Sequence, residues 1–400
     1  MSTTRTGQLA YSPYDYAIHE DPYPTYARLR EEAPLYRNDD LDFWALSRHP
    51  DVVAAYRDSS VFSSANGVSL EPMATGPNAW RSMSFLAMDP PRHGRMRGIV
   101  SRAFTSRRVA DMYPHVVELT KRHLDPALDK GTFDFVTDFS GILPKDVLSE
   151  MIGIPPSDRH EVRRLADLLV HREEGVFDVP ATGVEAALQL ARYFTDMVAE
   201  RRRSPNDDLT SSLVDAELDG EQLADADIIS FLFLMVVAGN ETTAKLLANA
   251  WYWAWRNPDE RSKPFGDPGH VGDWIEETLR FDGSSQATAR TLTEPVELHG
   301  TRLGAGDRVL LLIGSANRDP RVFPEPDRYR LDRDRTEMVS FGVGRHLCLG
   351  AGLARLEASI ALTELVRRVR HYDIDESNAR RVHSVNVRGF ASLPTSVELR

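Results

Sequence analysis

A short glycine-rich segment constrains the possible folds of this chain more than any other feature. The only cysteine among its 400 residues, Cys348, lies in a loop formed by residues 341–350. A single thiol cannot form an intramolecular disulfide or a multi-cysteine metal site, so its functional roles are those of a nucleophile or a lone metal ligand. Residues 349–365 are rich in helix formers and space their leucines for a buried face. The cysteine is therefore expected at a helix N-terminus, where unpaired N–H groups and the helix dipole stabilise a thiolate.

The composition of this loop favours contact with a flat cofactor. Its glycines, which remove side chains that would keep such a partner away, are Gly342, Gly344 and Gly350. A dinucleotide-binding fingerprint would need a third glycine where Leu347 stands. A nucleophilic pair of Cys348 with His346 lacks an orienting partner. A small buried thiol is the remaining alternative, because isolated cysteines commonly have that role.

The loop resembles the haem-binding segment of the cytochrome P450 family, Phe-Gly-x-Gly-x-x-x-Cys-x-Gly. Its signature positions are filled by Phe341, Gly342, Gly344, Cys348 and Gly350. The resemblance implies that haem b binds here and that Cys348 supplies the axial thiolate, whose electron donation favours O–O bond cleavage. It also implies the cytochrome P450 fold, which is mainly α with a smaller β region.

The order of predicted elements agrees with that fold over nearly the whole chain. Amphipathic helical patterns dominate residues 91–203, and strand-like segments are expected at residues 43–46, 296–298, 309–313 and 395–399. No linker-like run or internal repeat divides the sequence. We therefore expect a single domain over residues 1–400, whose minor β region comes from the N-terminal part and residues 284–400.

Residues 224–255 are predicted to form one long helix with an unusual centre. From Ile228 to Gly239 its only polar residue is Ser230, and a helix that is apolar on all sides is normally buried. Glu241 and Thr242 follow at once, and polar groups there are costly unless something requires them. In the alternative interpretation Thr242 only bonds back to a backbone carbonyl and Glu241 faces water.

This helix centre resembles the oxygen-activation motif of the family, Ala-Gly-x-Asp/Glu-Thr. The resemblance implies that Thr242 and Glu241 are catalytic residues that deliver protons during oxygen activation. It also places Ala238 and Gly239 against the haem, with the helix opening locally and Gly239 leaving room beside the cofactor.

Four basic residues match family positions that bind the haem propionates, which need cationic partners once they are partly buried. They are His93, Arg97, Arg290 and His346. For each of them alone, an ordinary surface charge is the competing explanation.

A further match concerns support of the haem-binding loop. Glu277 and Arg280 fit the Glu-x-x-Arg element of the family, and one turn of helix brings such charges together. The resemblance implies that this pair, together with Arg328, braces the haem-binding loop from behind. After Arg280 many relatives have a proline, whereas this chain continues with Phe281-Asp282-Gly283.

Charge and hydropathy limit the partners and the location of the protein. The net charge of -12 argues against nucleic acid. The first residues lack the apolar core of a signal peptide, and the longest apolar run is too short to span a membrane. We therefore expect a cytoplasmic protein that does not enter membranes, and we expect it to be a monomer.

Electrons must come from another protein, because the sequence carries no flavin or nicotinamide fingerprint. The expected donor is a ferredoxin or flavodoxin with its NAD(P)H-dependent reductase. A basic docking face around the cysteine side could be formed by Arg92, Arg95, Arg102, Arg345 and Arg355.

The resemblance implies a haem-thiolate monooxygenase that uses O2 to hydroxylate or epoxidise a lipophilic small molecule, in secondary metabolism. The substrate would be a terpenoid, steroid, fatty acid or polyketide. The expected pocket residues are Val68, Leu70, Met73, Trp80, Phe85, Met235, Ala287 and Phe390. Two alternatives remain open, a peroxide-driven haem-thiolate enzyme and a non-catalytic haem sensor or ligand-binding protein.

Overall fold

The computed structural model describes residues 9–218 and 220–400, so part of the N-terminal segment considered above, residues 1–8, lies outside it. In the described ranges helices predominate and the sheets are small, which confirms the expected fold class. The helices are α1 (Tyr16–Glu20), α2 (Tyr23–Glu32), α3 (His49–Arg57), α4 (Trp80–Met83), α5 (Arg92–Val100), α6 (Ser106–Asp111), α7 (Tyr113–Asp129), α8 (Leu143–Ile152), α9 (Arg159–Val170), α10 (Ala181–Arg203), α11 (Leu209–Val214), α12 (Asp225–Leu234), α13 (Asn240–Arg256), α14 (Pro258–Gly266), α15 (Val271–Asp282), α16 (Ile313–Ala316) and α17 (Ala351–Arg368).

The strands form one larger sheet and several small ones. They are β1 (Leu35–Asn38), β2 (Phe43–Leu46), β3 (Phe62–Ser63), β4 (Thr132–Asp134), β5 (Glu217–Leu218), β6 (Glu221–Gln222), β7 (Ala287–Leu292), β8 (Val296–Leu298), β9 (Thr301–Leu303), β10 (Arg308–Leu312), β11 (Val369–Ile374), β12 (Arg380–Arg381), β13 (Phe390–Ser392) and β14 (Pro394–Leu399). The larger sheet has the order β1-β2-β10-β7-β3, and a second has the order β11-β14-β4. Strand β10 pairs in parallel with β2 and antiparallel with β7.

The long helix predicted near the middle of the chain is present but is not continuous. A π-helical turn, Met235–Gly239, separates α12 from α13. The local opening expected at this point therefore exists as a widened turn, a feature that is frequent at functional sites.

By length and composition alone, Asp225–Arg256 could cross a membrane, but 76% of its most apolar window is buried inside the protein. Buried apolar side chains such as Phe231 and Leu232 explain its hydropathy. Helix α13 continues into the main core, where the ring of Trp251 stacks on Tyr372 at 3.6 Å and on Phe135 at 5.1 Å. This central position fixes the widened turn in space.

Candidate active site

The residue range 341–350, which we call the thiolate loop, is held in a tight conformation just before α17. Gly342 and Gly344 have φ angles of +68° and +72°, a region that favours glycine. The backbone N–H of Cys348 donates to the carbonyl oxygen of Phe341 at 2.8 Å. Because α17 begins at Ala351, the cysteine precedes a helix N-terminus as the sequence predicts.

Cys348 is accessible to solvent although protein surrounds it on most sides, and the space in front of it is called the cleft below. Burial raises the pKa of Cys348, while hydrogen bonds from the N–H groups of Gly350 and Ala351 and the charges of Arg97 and Arg355 lower it. Coordination by a cation would remove the remaining obstacle to ionisation, because a coordinated thiol is deprotonated.

His93, Arg97, Arg290 and His346, which we call the cation cluster, lie together beside the thiolate loop. The imidazole centroids of His93 and His346 are 4.2 Å apart. A guanidinium N–H of Arg97 donates to the carbonyl oxygen of Leu347. The Arg290 guanidinium lies 5.1 Å from the Tyr56 ring centroid and donates at 2.7 Å to the Ala289 carbonyl oxygen. The structure therefore assembles all four predicted residues at one place.

The polar groups of this cluster have few partners, and the charge of Asp89 acts on His93 and Arg290 only from a distance. Within the described ranges none of its four side chains pairs with a carboxylate, and Nε2 of His93 and both ring nitrogens of His346 are buried without a hydrogen-bond partner. Burial, with the charges of Arg97 and Arg345, lowers the pKa of His93 to about 4. Burial, with the charges of Arg290, His93 and Arg97, lowers the pKa of His346 to about 2.

These unpartnered donors fit the haem that the loop implies. Two propionates would supply the missing negative charge and accept hydrogen bonds from buried nitrogens that otherwise cost free energy. The glycines fit as well, since a Cβ at Gly350 would meet no atom within 4 Å. The thiolate loop and the cation cluster can therefore hold the cofactor between them.

Helix α12, which precedes the widened turn, is connected to the same region through Phe85. The Phe85 ring centroid lies 5.7 Å from the Arg97 guanidinium carbon and 6.2 Å from the Phe231 ring of α12. Along the helix, Ala238 and Thr242 are accessible whereas the residues just before the turn are buried. The Thr242 hydroxyl donates to the Ala238 carbonyl oxygen at 3.0 Å. The hydrogen bond to the backbone that was named as an alternative above therefore exists, and Thr242 remains partly accessible.

Glu241 has different surroundings from Thr242. Its carboxylate lies 3.2 Å from the ammonium of Lys145 and 3.1 Å from that of Lys245, and only 7% of its side chain is accessible. Burial opposes its ionisation, yet Lys245 and Lys145 together lower the pKa of Glu241 to about 2. The alternative in which this side chain faces water is therefore wrong, because the carboxylate is buried and ion-paired.

Gly239 is in close contact with a neighbouring helix. A Cβ at this position would lie 2.4 Å from Cδ1 of Leu148 on α8. The missing side chain thus permits close packing of α8 on the widened turn. Ala238 is the neighbouring residue that faces the cleft.

Glu277 and Arg280 form a fully buried pair on α15, with 2.7 Å between Nη2 and Oε1 and 2.9 Å between Nε and Oε2. Arg280 also donates to the carbonyl oxygen of Asn317 at 3.0 Å, and the Asn317 side chain binds Val339 and Ser340 just before the thiolate loop. The predicted contact behind the loop is therefore present.

The third basic residue of this group is Arg333 rather than Arg328. Nε of Arg333 lies 3.4 Å from Oε1 of Glu277. The Arg328 side chain is 68% accessible and donates to Glu325 at 2.8 Å. Only the backbone carbonyl of Arg328 takes part, because it accepts from Arg280 and Arg333. Glu277, Arg280 and Arg333 are called the brace below.

The predicted pocket residues do not all lie at the cleft. Phe390 packs 4.8 Å from the Tyr252 ring, well along α13 from Thr242. Ala287 belongs to a separate apolar cluster with Phe43 and Leu312, on the face of β7 opposite Arg290. Met73 is 62% exposed. Residues from the predicted set that pack in the main core near α12 are Trp80, Phe85 and Met235, whereas Val68 is buried and Leu70 packs on the Phe43 cluster.

The sequence analysis missed several charged residues that contact the site, and one of these contacts could have been predicted from the sequence. Lys245 follows Glu241 by one helical turn, a spacing that brings opposite charges together. Lys145 had no such signal, because its contact with Glu241 joins α8 to α13. Arg333 is one of several arginines in an irregular segment, where no periodicity indicates which side chain points inward.

The thiolate loop and the unpartnered groups of the cation cluster fit a haem between them, so the site is that of a haem-thiolate protein. Comparison with known proteins makes this assignment more specific. Residues 272–399 match the family model for cytochrome P450. The chain is 54% identical over 401 residues to the putative cytochrome P450 123 of Mycobacterium tuberculosis, with 100% of both chains covered. It therefore belongs to the cytochrome P450 family and is a monooxygenase that carries haem b, with Cys348 as the axial thiolate ligand.

Two further similarities are informative. The vitamin D(3) 25-hydroxylase of Pseudonocardia autotrophica is 32% identical, with 99% of each chain covered. The crystal structure of a Bacillus megaterium cytochrome P450 in complex with testosterone superposes with a TM-score of 0.88 at 29% identity, covering 96% of this chain and 99% of that one.

Proposed function

We propose that this protein is an O2-dependent monooxygenase that receives electrons from a separate ferredoxin or flavodoxin and oxidises a lipophilic, steroid-like molecule in the cytoplasm. The observation that carries the proposal is the widened turn with Thr242 at the cleft, in an otherwise apolar helix. When bound, the haem supplies the activation of dioxygen. The contribution of this chain is to bind the cofactor, exclude water and move protons.

In this proposal Thr242 is the proton-relay group at the cleft. Its hydroxyl has a backbone acceptor at Ala238 and a free acceptor capacity toward the cleft. Glu241 is ionised and held by Lys145 and Lys245, so it can pass a proton only when these ion pairs open. The two residues would therefore act in sequence, with Thr242 nearer the reacting atoms.

Four residues are proposed to hold the propionates, namely His93, Arg97, Arg290 and His346. The unpartnered imidazole nitrogens described above support this role. The brace is proposed to keep the thiolate loop in its observed conformation while the cofactor binds. Phe85, Met235 and Trp80 are proposed to contact substrate.

For the electron donor, the arginines predicted to form a docking face are not equivalent. Arg92 pairs with Asp227 and stacks on Trp80, and Arg355 pairs with Glu276 of α15. Arg102 and Arg345 are exposed near the thiolate loop. We therefore assign the docking role first to Arg102 and Arg345, whose charges can steer an acidic protein.

A steroid-like substrate is supported by the two relatives named for vitamin D(3) and testosterone. The buried apolar side chains near α12 are compatible with this class, because they can bury a rigid apolar ligand. Terpenoids, fatty acids and polyketides are the other classes to include in a binding screen.

The decisive experiment is turnover under ¹⁸O2 with ferredoxin, ferredoxin reductase and NADPH, using testosterone and vitamin D3 as first substrates. The proposal requires one ¹⁸O atom in the product. Thr242→Ala is expected to keep NADPH consumption while releasing peroxide and losing product by about 10²-fold. Thr242→Ser is the matched control, because it keeps the hydroxyl.

Two outcomes would contradict the proposal. Faster product formation with hydrogen peroxide alone than with ferredoxin and NADPH would favour a peroxide-driven enzyme. Absence of any product from every substrate class, with unchanged behaviour of Thr242→Ala, would favour a haem sensor.

A further inference from the structure

A charge pair between Arg355 of α17 and Glu276 of α15 lies beside the thiolate loop. Nε of Arg355 is 2.6 Å from Oε1 of Glu276, and Nη2 of Arg355 is 2.9 Å from Oε2. Two parallel hydrogen bonds of this kind fix the position of a guanidinium group. The accessible fractions are 41% for the Arg355 side chain and 26% for the Glu276 side chain. The pair therefore has a defined geometry, and solvent shields its charges only in part.

The Arg355 guanidinium also contacts the thiolate loop directly. Its central carbon lies 4.6 Å from the centroid of the Phe341 ring. The carbonyl oxygen of Phe341 accepts the N–H of Cys348 at 2.8 Å, so the ring and the cysteine belong to one hydrogen-bonded turn. Burial raises the pKa of Cys348, and the charge of Arg355 is among the effects that lower it. The arginine is therefore a cation that acts on the sulfur.

Arg355 differs from Arg97, the other cation whose charge acts on Cys348. Arg97 belongs to the cation cluster, and no carboxylate in the described part of the chain pairs with it. Arg355, in contrast, has a carboxylate partner within the chain, and that partner precedes Glu277 of the brace on α15. The helix that supports the thiolate loop thus also places an anion beside this cation.

The pair is well placed to influence the first electron transfer. Reduction of ferric haem adds one negative charge to the unit formed by the iron and the thiolate. A cation near the sulfur stabilises this added charge, and an anion near the sulfur opposes it. We propose that Arg355 and Glu276 together set the reduction potential of this protein, because Arg355 raises the potential and Glu276 limits the increase. The inference depends on haem bound at Cys348 and is independent of the electron donor and the substrate proposed above.

The test is a spectroelectrochemical titration of the haem-bound protein with dithionite, ferricyanide and redox mediators, without substrate or donor protein. Arg355→Gln removes the cation and leaves Glu276 unpaired, so the equilibrium constant for reduction should fall about fivefold, which corresponds to about 40 mV. Glu276→Gln removes the anion and leaves Arg355 unpaired, so the constant should rise about threefold. The double variant should lie between the two single variants.

Two control variants separate the charge from its structural contacts. Arg355→Lys keeps the charge but loses the paired hydrogen bonds, so the constant should stay within about twofold of that of the parent protein. Arg367→Gln is the matched control, because it removes the same charge from an exposed pair with Glu364, about three turns further along α17. This substitution should leave the potential unchanged. The shifts at Arg355 and Glu276 should also shrink as the salt concentration rises, because partly exposed charges are screened.

Carbon monoxide difference spectra establish first that each variant binds haem through the thiolate. Loss of the thiolate signal in the parent protein would overturn the haem assignment, and this inference with it. With that assignment intact, the tuning role is refuted if both single substitutions shift the potential in the same direction, or if Arg355→Lys behaves as Arg355→Gln does. Shifts that persist unchanged at about 1 M salt would refute it as well. Should Arg355→Gln lose haem, the direction of the shift in Glu276→Gln and its salt dependence decide the question.

Discussion

The brace and the cation cluster are both buried groups of charged side chains beside the thiolate loop, but they differ in how their charges are satisfied. In the brace, Glu277 and Arg280 are fully buried and bind each other through two hydrogen bonds. In the cation cluster, His93 and His346 are also buried, yet they have ring nitrogens without a hydrogen-bond partner among residues 9–218 and 220–400. The brace is complete within the chain, whereas the cluster is complete only with an anionic ligand.

This difference separates structural charges from ligand-binding charges. A buried ion pair with all its hydrogen bonds made is costly to break and needs nothing further. A buried donor without a partner lowers the stability of the protein and is retained where a ligand supplies the acceptor. Substitutions in the two groups should therefore change stability in opposite directions.

The largest effect is expected from breaking the brace. Arg280→Ala would leave the buried Glu277 carboxylate with the Arg330 N–H at 3.0 Å and a long contact to Arg333 at 3.4 Å. We expect the free energy of unfolding to fall by about 3–5 kcal/mol, because the main cationic partner is lost. Urea unfolding followed by circular dichroism measures this, together with the yield of haem-bound protein. A variant as stable as the parent would show that the brace does not hold the loop.

A second prediction concerns Glu357 on α17, whose buried Oε2 has no hydrogen-bond partner in the part of the chain that the structure describes. Burial raises its pKa from 4.5 to about 8, so in the folded protein the carboxyl is protonated at neutral pH. The native state then binds more protons than the unfolded chain between these pKa values, and stability falls as pH rises from about 4.5 to about 8. Glu357→Gln should remove this decline and gain about 3 kcal/mol near pH 7.

The measurement for Glu357 is the free energy of unfolding at several pH values for both proteins. The curves should coincide near pH 4.5 and diverge steadily above it. Parallel curves across this range would mean that the carboxyl is not protonated in the folded state.

In the cation cluster we expect a smaller change in the free energy of unfolding, opposite in sign to the change expected in the brace. His93→Leu removes an unpartnered imidazole, so the haem-free protein should gain about 1–2 kcal/mol of stability. The same change should speed loss of haem to apomyoglobin by about tenfold, because a propionate partner is lost. If the substitution destabilises the haem-free protein, the imidazole has an acceptor within the chain and the comparison fails.

The smallest effect is expected at Arg328, which the sequence assigned to the brace. Its side chain is exposed and pairs only with Glu325, so Arg328→Ala should change the free energy of unfolding by less than about 0.5 kcal/mol. Arg333→Ala, its matched partner, removes the cation that contacts Glu277 and should cost clearly more. Equal effects of the two substitutions would contradict the assignment of Arg333.

Several errors of the sequence analysis have specific physical causes. Arg328 and Arg333 lie in an irregular segment, where side-chain direction follows no period. The contact of Gly239 with Leu148 of α8 had no signal in the sequence, because it joins segments about ninety residues apart. The position of Ala287 on the face of β7 opposite Arg290 could have been predicted from the sequence, because residues three positions apart in a strand face opposite sides.

The chemistry of the site follows from local features of the sequence. Three local patterns carry this information: the lone Cys348 in a glycine-rich loop before a helix, the polar residues within an apolar helix, and the spacing of Glu277 and Arg280. Patterns of this kind are set by the helical period and by the conformational freedom of glycine. Tertiary structure alone decided which charges meet. The contacts of Glu241 with Lys145, of Glu71 with Arg172 and of Glu277 with Arg333 join segments distant in the chain. Such pairs depend on how helices and loops pack against one another, and no periodicity in the sequence predicts that packing.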